Sequence, residues 1–188
     1  METGLTTDIL STFPPLLSEE QILDRVHELA QEISESFGPG PITVLTLLKG
    51  SFIFTADLVR ALAYYDHRLR IEFITASSYG TGTTSNGDVR LTWHGELPCE
   101  NERVLIIDDI LDTGYTISHV RELTMNQKPA ICKVAVLLDK PVRRKMPVTA
   151  DFTGFSIDDY FVVGYGLDFA ENFRELPYLA ILPTEYRS

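Results

Sequence analysis

Val104-Leu105-Ile106-Ile107-Asp108-Asp109-Ile110-Leu111-Asp112-Thr113-Gly114-Tyr115-Thr116 runs from a short apolar strand through three acids into a small-residue loop. The strand is β-branched and ended by charge, as expected of one buried on both faces of a parallel sheet. Beyond the loop, Ile117, Val120 and Leu123 recur at helical spacing until Pro129 forbids continuation. The loop therefore lies at a helix N-terminus. Unpaired amides and the positive end of the helix dipole favour a phosphate there, and Gly114 permits close approach. Asp108 and Asp109 fall at the carboxyl end of the strand, the edge where open α/β sheets bind ligands. Carboxylates repel phosphate unless they face other atoms, such as ribose hydroxyls, a divalent cation or a proton to be removed.

The rest of the chain repeats this strand–loop–helix unit. Ser18-Glu19-Glu20-Gln21 resembles a capping box, and Ile22, Val26, Leu29 and Ile33 share one face of a helix expected over 19–36, ended by Gly38-Pro39-Gly40-Pro41. Thr43–Leu48 reads as a buried strand, Lys49-Gly50-Ser51 as its loop, and Phe52, Ala56, Val59 and Leu62 or Ala63 as the inner face of the next helix. Further strands are expected over 71–78, 104–107 and 134–138, with a helix over 116–128. The alternation argues for an α/β fold with a mostly parallel sheet flanked by helices. Between Tyr79 and Glu102 the pattern changes. A small polar stretch, 80–87, precedes Val89, Leu91 and Trp93 alternating with polar residues, which reads as a flexible hairpin arm or an idle surface hairpin.

Composition bounds the answer. The 188 residues suit a single domain, and an apolar fraction of 44% is that of a globular protein. The N-terminus lacks the basic start and apolar core of a signal peptide, and no apolar run approaches bilayer length, so the cytoplasm is the expected location. Cys99 and Cys132 make neither a disulfide framework nor a metal-ligand spacing and read as reduced, structural thiols. His27, His67, His94 and His119 share no motif and read as ordinary histidines. A formal charge of −11 opposes nonspecific binding to nucleic acid. The absence of any Gly-Lys pair excludes a P-loop.

The thirteen residues 104–116 resemble the phosphoribosyl pyrophosphate signature of the purine phosphoribosyltransferases. In order along the chain, Leu47-Leu48-Lys49-Gly50-Ser51, Ser77-Ser78-Tyr79-Gly80, Leu137-Leu138-Asp139-Lys140-Pro141 and Phe161-Val162-Val163-Gly164-Tyr165-Gly166-Leu167-Asp168 each resemble a segment of the hypoxanthine-guanine branch. The resemblance runs from about Ser18 to about Leu182. It implies a type I phosphoribosyltransferase fold in one domain, with a mobile lid at about 78–95 and a purine-binding hood formed mainly by 140–188 plus the N-terminal segment.

The resemblance also implies a reaction, the magnesium-dependent transfer of a 5-phosphoribosyl group from phosphoribosyl pyrophosphate to hypoxanthine or guanine. Asp108 and Asp109 would hold the ribose hydroxyls, directly or through Mg²⁺. Thr113, Gly114, Tyr115 and Thr116 would hold the 5-phosphate; some relatives carry Lys at position 115. Asp112 would accept the purine N7 proton as general base, the alternative being a helix N-cap. Lys49, Gly50, Ser78, Tyr79 and Arg174 would meet pyrophosphate, although Lys49 could be a solvated lysine at a helix start. Lys140 would donate to the purine 6-oxo group, Phe161 would stack on the base or simply pack in the core, and Val162 would offer backbone groups. Asp168 would bind a second magnesium or approach the base, and Asp168 and Arg174 could otherwise be solvated side chains. Lysine cannot accept a hydrogen bond, so adenine's 6-amino group is disfavoured. A homodimer or homotetramer is implied. An RNA-binding regulator built on the same fold would need a basic face that this acidic chain lacks.

Overall fold

A computed structural model of the chain describes residues 13–78, 89–93 and 97–187. A six-stranded sheet in the order β4-β3-β2-β5-β6-β7 forms its centre. It comprises β2 (Ile42–Leu48), β3 (Leu69–Ser78), β4 (Val89–Trp93), β5 (Arg103–Leu111), β6 (Ile131–Asp139) and β7 (Phe152–Ser156). All neighbours run parallel except β4, which lies antiparallel on the β3 edge. β2 is buried from Ile42 to Leu47, which requires cover on both faces.

That cover comes from three helices, α1 (Glu19–Phe37), α2 (Phe52–Leu62) and α3 (Tyr115–Asn126). α1 begins with a complete capping box between Ser18 and Gln21, and it buries Ile22, Val26, Leu29 and Ile33 as the periodicity requires. With α2 it packs on one face of the sheet, against Val44, Leu105, Ile107 and Leu137. α3 covers the other face, where Ile117 and Val120 meet Leu45, Ile106 and Val136.

The inner face of α2 corrects the sequence expectation. Phe54, Thr55, Leu58, Ala61 and Leu62 are buried, whereas Phe52 is 44% exposed, Ala56 is exposed and Val59 is only partly buried. Apolar residues surround this helix almost completely, so periodicity alone left its phase open. The row Phe54, Leu58 and Leu62, spaced by four, faces the sheet.

A second, three-stranded antiparallel sheet in the order β1-β9-β8 is built from Pro15–Leu17, Leu179–Ile181 and Val162–Val163. Its own cluster of Phe13, Val163, Leu176, Tyr178, Ala180 and Leu182 lies behind it, while Val162, Tyr165, Leu167 and Leu179 join the main core. Residues near both ends of the described chain thus share this second layer, which is called the hood below. No helix among the described residues is long and apolar enough to cross a membrane.

β3 and β4 pair antiparallel from Ile74↔Trp93 to Ser78↔Val89, as a hairpin arm requires. The connection expected to act as a lid, including Tyr79, lies outside the described residues, as does His94. His27, His67 and His119 each bond a nearby backbone carbonyl, as ordinary histidines do.

Candidate active site

The carboxyl edge of the central sheet carries a cavity of about 310 Å³, lined by Leu47–Gly50, Ala76 and the run Asp108–Ile117. Two connections that follow neighbouring parallel strands, β2 and β5, therefore face each other. β5 continues past its pairing with β2, which stops at Ile107, and remains paired with β6 as far as Leu111↔Asp139. Asp108 and Asp109 are consequently part of the strand rather than of the loop after it. Beyond the last residue paired with β2, Asp109 reaches the loop that follows that strand.

There Gly50 permits a close approach. A Cβ at this position would stand 1.6 Å from Asp109 Oδ2, so the Asp109 carboxylate would have to move away. On its other side, a Cβ on Gly166 would stand 2.2 Å from the Gly50 carbonyl oxygen. The Gly50 peptide is thus clasped between the acidic strand end and the hood. The preceding Leu48–Lys49 peptide is cis.

Asp108 is buried and Asp109 half-buried. Burial, reinforced by the neighbouring charge of Asp109, pushes the Asp108 carboxyl well above its usual range. Burial also raises Asp109, although hydrogen bonds from Asp108 and from the Ile110 amide, and the Arg174 guanidinium, act in the opposite direction. The Asp109 amide donates to Asp108 Oδ1 at 3.0 Å, and the Ile110 amide to Asp109 Oδ1 at 2.8 Å. Two adjacent, poorly solvated carboxylates at one strand end suit a hard cation together with hydroxyl donors. Among the described residues no three His, Cys, Asp or Glu side chains gather as a ready metal site. An ion would therefore take its remaining ligands from a substrate, which is the habit of magnesium.

The loop Asp112–Thr116 is shaped for an anion. Gly114, at φ 88°, is the N-cap of α3 and contributes no side-chain cap. The Ser118 amide is bonded to the Gly114 carbonyl at 3.0 Å, which leaves the amides of Tyr115, Thr116 and Ile117 at the open end of the helix without helical acceptors. The alternative reading of Asp112 as N-cap does not hold, because Gly114 occupies that position.

The loop's carbonyls are turned outward and taken up by the segment after β6. Thr113 O accepts from the amides of Lys145 and Met146, and Leu111 O from that of Lys140. The Arg144 guanidinium donates to the carbonyls of Leu111 and Asp112 and to the Asp139 carboxylate. Arg143 Nε donates to Asp112 Oδ1 at 3.0 Å, while its Nη1 reaches Asp159 at 3.4 Å. Sequence reading missed both arginines. Their signal was the cationic run Arg143-Arg144-Lys145 in a chain with 16 basic and 27 acidic residues.

The remaining candidates lie in the hood and its approaches. Lys140 is buried, and its ammonium donates to the Tyr160 carbonyl. Phe161 is half-buried and meets Phe169 edge-on at 5.7 Å, and Val162 is buried and paired with Ile181. Arg174 donates to Gly166 O at 2.8 Å and bridges to Asp168 at 2.8 Å. Lys49 bridges to Glu171 at 3.0 Å. The structure thus gathers Lys49, Gly50 and Asp108–Thr116 around one cavity and places Asp168 and Arg174 on the loop that presses on Gly50. Lys140 joins through its backbone bond to Leu111. Ser78 ends β3, but its side chain lies outside the described residues, as does Tyr79.

A phosphoribosyl transferase domain matches residues 16–170. The hypoxanthine-guanine phosphoribosyltransferase of Aquifex aeolicus is 47% identical over 163 residues, covering 86% of this chain and 90% of the relative. That of Bacillus subtilis is 41% identical over 174 residues, covering 92% and 95%. Among solved structures, a hypoxanthine phosphoribosyltransferase of Staphylococcus aureus superposes with a TM-score of 0.89 at 38% identity, covering 98% of this chain and 100% of that one. The Trypanosoma cruzi enzyme in a ternary complex with substrates gives 0.86 at 39% identity, covering 93% and 97%. Identity at this level across nearly the full length of both chains places the protein in the phosphoribosyl transferase family, among the hypoxanthine-guanine phosphoribosyltransferases.

Proposed function

We propose that the protein transfers the 5-phosphoribosyl group of phosphoribosyl pyrophosphate to hypoxanthine or guanine, giving IMP or GMP and pyrophosphate, in purine salvage. The observation that carries the reading is the meeting of Asp109, Gly50 and Gly166, which sets the hood against the acidic strand end and the lysine-bearing loop that line the cavity. A two-substrate transfer needs that convergence, since donor and acceptor must be held in line before reaction.

In this reading the open amides of Tyr115 and Thr116, with Thr113 and Gly114, hold the 5-phosphate. Asp108 and Asp109 accept from the ribose hydroxyls and, with Asp168, are the residues that would hold Mg²⁺. When bound, magnesium would neutralise charge on the departing pyrophosphate. Lys49, Gly50, Ser78, Tyr79 and Arg174 receive that group. Lys140, already oriented by the Tyr160 carbonyl, donates to the 6-oxo oxygen, and Phe161 lies along the ring. Val162 offers its backbone to the purine edge, and Asp168 approaches the two-position. Asp112 takes the N7 proton as the new C1–N bond forms and the C1–oxygen bond to pyrophosphate breaks. Positive charge developing on the ribose faces Asp108 and Asp109. The arm at about 78–95 would close over the site and exclude water from the electrophilic carbon.

We place this work in one domain spanning 1–188, with its hood mainly in 140–188 and the N-terminal segment. The cytoplasm is the proposed location, in keeping with the free thiols Cys99 and Cys132. A homodimer or homotetramer is proposed; the exposed rings of Phe52 and Phe73 leave apolar surface for a second copy, and sedimentation measures the state. The decisive assay mixes protein, phosphoribosyl pyrophosphate and magnesium with hypoxanthine, guanine, xanthine or adenine and follows nucleotide and pyrophosphate. Product with a 6-oxopurine and none with adenine is expected. No product with any 6-oxopurine overturns the assignment, and efficient use of adenine overturns the role of Lys140.

A further inference from the structure

The two cations assigned above to pyrophosphate are already occupied by an anion of the chain itself. Glu171 Oε2 lies 3.0 Å from Lys49 Nζ, and Glu171 Oε1 lies 3.5 Å from Arg174 Nη2. One carboxylate therefore spends one oxygen on each cation, as two oxygens of a bridging phosphate group would. We infer that Glu171 is an internal surrogate for pyrophosphate, resting on Lys49 and Arg174 in the ligand-free enzyme and surrendering them when the donor binds. The inference rests on the pyrophosphate roles proposed for those two residues.

Three features favour a surrogate over a structural tie. First, the backbone that carries this side chain is held in an uncommon conformation. Ala170 and Glu171 both take left-handed φ, 50° and 65°, and the Glu171 amide is anchored on Asp168 Oδ2 at 2.9 Å. Second, the contact between Glu171 and Lys49 is wet, with 67% and 64% of the side chains exposed. Such a pair adds little to folding, and one carboxylate yields to a multiply charged pyrophosphate. Third, Arg174 does not need Glu171 to stay in place. Its Nη1 bond to Gly166 O and its bridge to Asp168, both at 2.8 Å, hold the guanidinium after the carboxylate leaves. Hydrogen bonding to Lys49 lowers the Glu171 carboxyl below its usual range, so it is charged throughout the working range.

The consequence is a tuned affinity. In an enzyme that must release pyrophosphate after each turnover, an anion returning to the same cations opposes rebinding of the product and weakens the donor by the same factor. Glu171→Gln keeps the shape and removes the charge. It should lower the dissociation constant of pyrophosphate, measured calorimetrically with magnesium, and the KM of phosphoribosyl pyrophosphate by about two- to fivefold, the range of an exposed ion pair. The KM of hypoxanthine should not move.

A structural tie predicts the opposite sign, because losing it would loosen Lys49. Weaker pyrophosphate binding in Glu171→Gln therefore overturns the inference. Lys49→Met and Arg174→Gln separate this outcome from failure of the underlying assignment. If they weaken pyrophosphate binding while Glu171→Gln changes nothing, the assignment stands and the surrogate falls. If they leave pyrophosphate binding unchanged, both fall. Tightening by Glu171→Gln that disappears in the Lys49→Met background establishes that the carboxylate acts through that cation.

Discussion

The donor end and the acceptor end of the site are built by different means. The ribose and 5-phosphate part of the donor end is one continuous stretch, β5–loop–α3, in which secondary structure alone delivers two carboxylates, open amides and a glycine N-cap. The acceptor end is closed by the hood, whose loop between β8 and β9 also carries Arg174 to the donor and holds Tyr165, Ala170, Glu171 and Phe173 at left-handed φ. Each non-glycine residue held there costs on the order of 1–3 kcal/mol. Such a loop persists only where surrounding contacts determine it. Here these are the Tyr165–Asp57 hydrogen bond at 2.6 Å, the paired bonds between Gly166 and Arg174, and the seating of Gly166 on Gly50. Changes at the donor end should therefore act on chemistry, while changes behind the hood should act first on geometry.

The comparison is tested most severely at Asp112, which belongs to the donor loop but is assigned work on the acceptor. Asp112→Asn keeps an acceptor for Arg143 Nε and removes the base. It should lower kcat by about 100-fold or more with small changes in either KM, the range for loss of a general base. Steady-state kinetics with both substrates varied checks this, and a loss below about tenfold would remove Asp112 from the chemistry.

Lys140 probes the acceptor end itself. Its ammonium is buried, so Lys140→Met leaves both the purine oxygen and the Tyr160 carbonyl without a donor. A charged hydrogen bond of this kind contributes about 1.5–3 kcal/mol. The expected result is a fall in kcat/KM for hypoxanthine of roughly 10- to 150-fold, with KM for phosphoribosyl pyrophosphate nearly unchanged. An equal rise in both KM values would mean that the hood had shifted as a body.

How far each end could be read in the sequence follows from the same contrast. The parallel sheet, the capping box at Ser18 and the phosphate loop before α3 were legible because each is written in local pattern: apolar runs, a cap, a glycine ahead of a periodic helix. The motif also supplied the acids at 108, 109 and 112. Two aspects of the site were not legible. The guanidinium of Arg144 acts on carbonyls of residues 111 and 112, and Arg143 acts on Asp112, contacts that no periodicity encodes. The strand also ends later than its charges suggested, since β5 remains paired with β6 through Leu111. Charge marks where a ligand will sit and not where backbone pairing stops. The phase of α2 failed for the converse reason, too many apolar residues rather than too few.

Removing the hood's tie to α2 should have a smaller effect. Tyr165 is buried and donates to Asp57, whose other partner is Arg60. Tyr165→Phe should destabilise the protein by about 1–2 kcal/mol, lowering Tm by a few degrees for a chain of this size. Because the loop also seats Gly166 on Gly50, KM for phosphoribosyl pyrophosphate should rise with it. A stability loss with both KM values fixed would show that the remaining contacts hold the loop unaided.

The donor end should respond in the opposite direction. Asp108 is buried and its carboxyl is raised well above the usual 3.8, so above that value the folded, ligand-free protein holds a proton that the unfolded chain releases. A carboxyl raised on folding makes stability fall as pH climbs through the window between the unfolded and folded values, and the deficit persists at higher pH. Asp108→Asn removes the charge and retains an acceptor for the Asp109 amide. At pH 7.5 the ligand-free variant should be more stable than the parent, while its activity falls for want of a ribose-binding carboxylate. The gain should shrink as the pH approaches 4, where the parent carboxyl is protonated in both states. Thermal melts of both proteins across that range measure it. If the variant melts lower than the parent at pH 7.5, Asp108 is a support of the strand end rather than a charge kept there for the substrate.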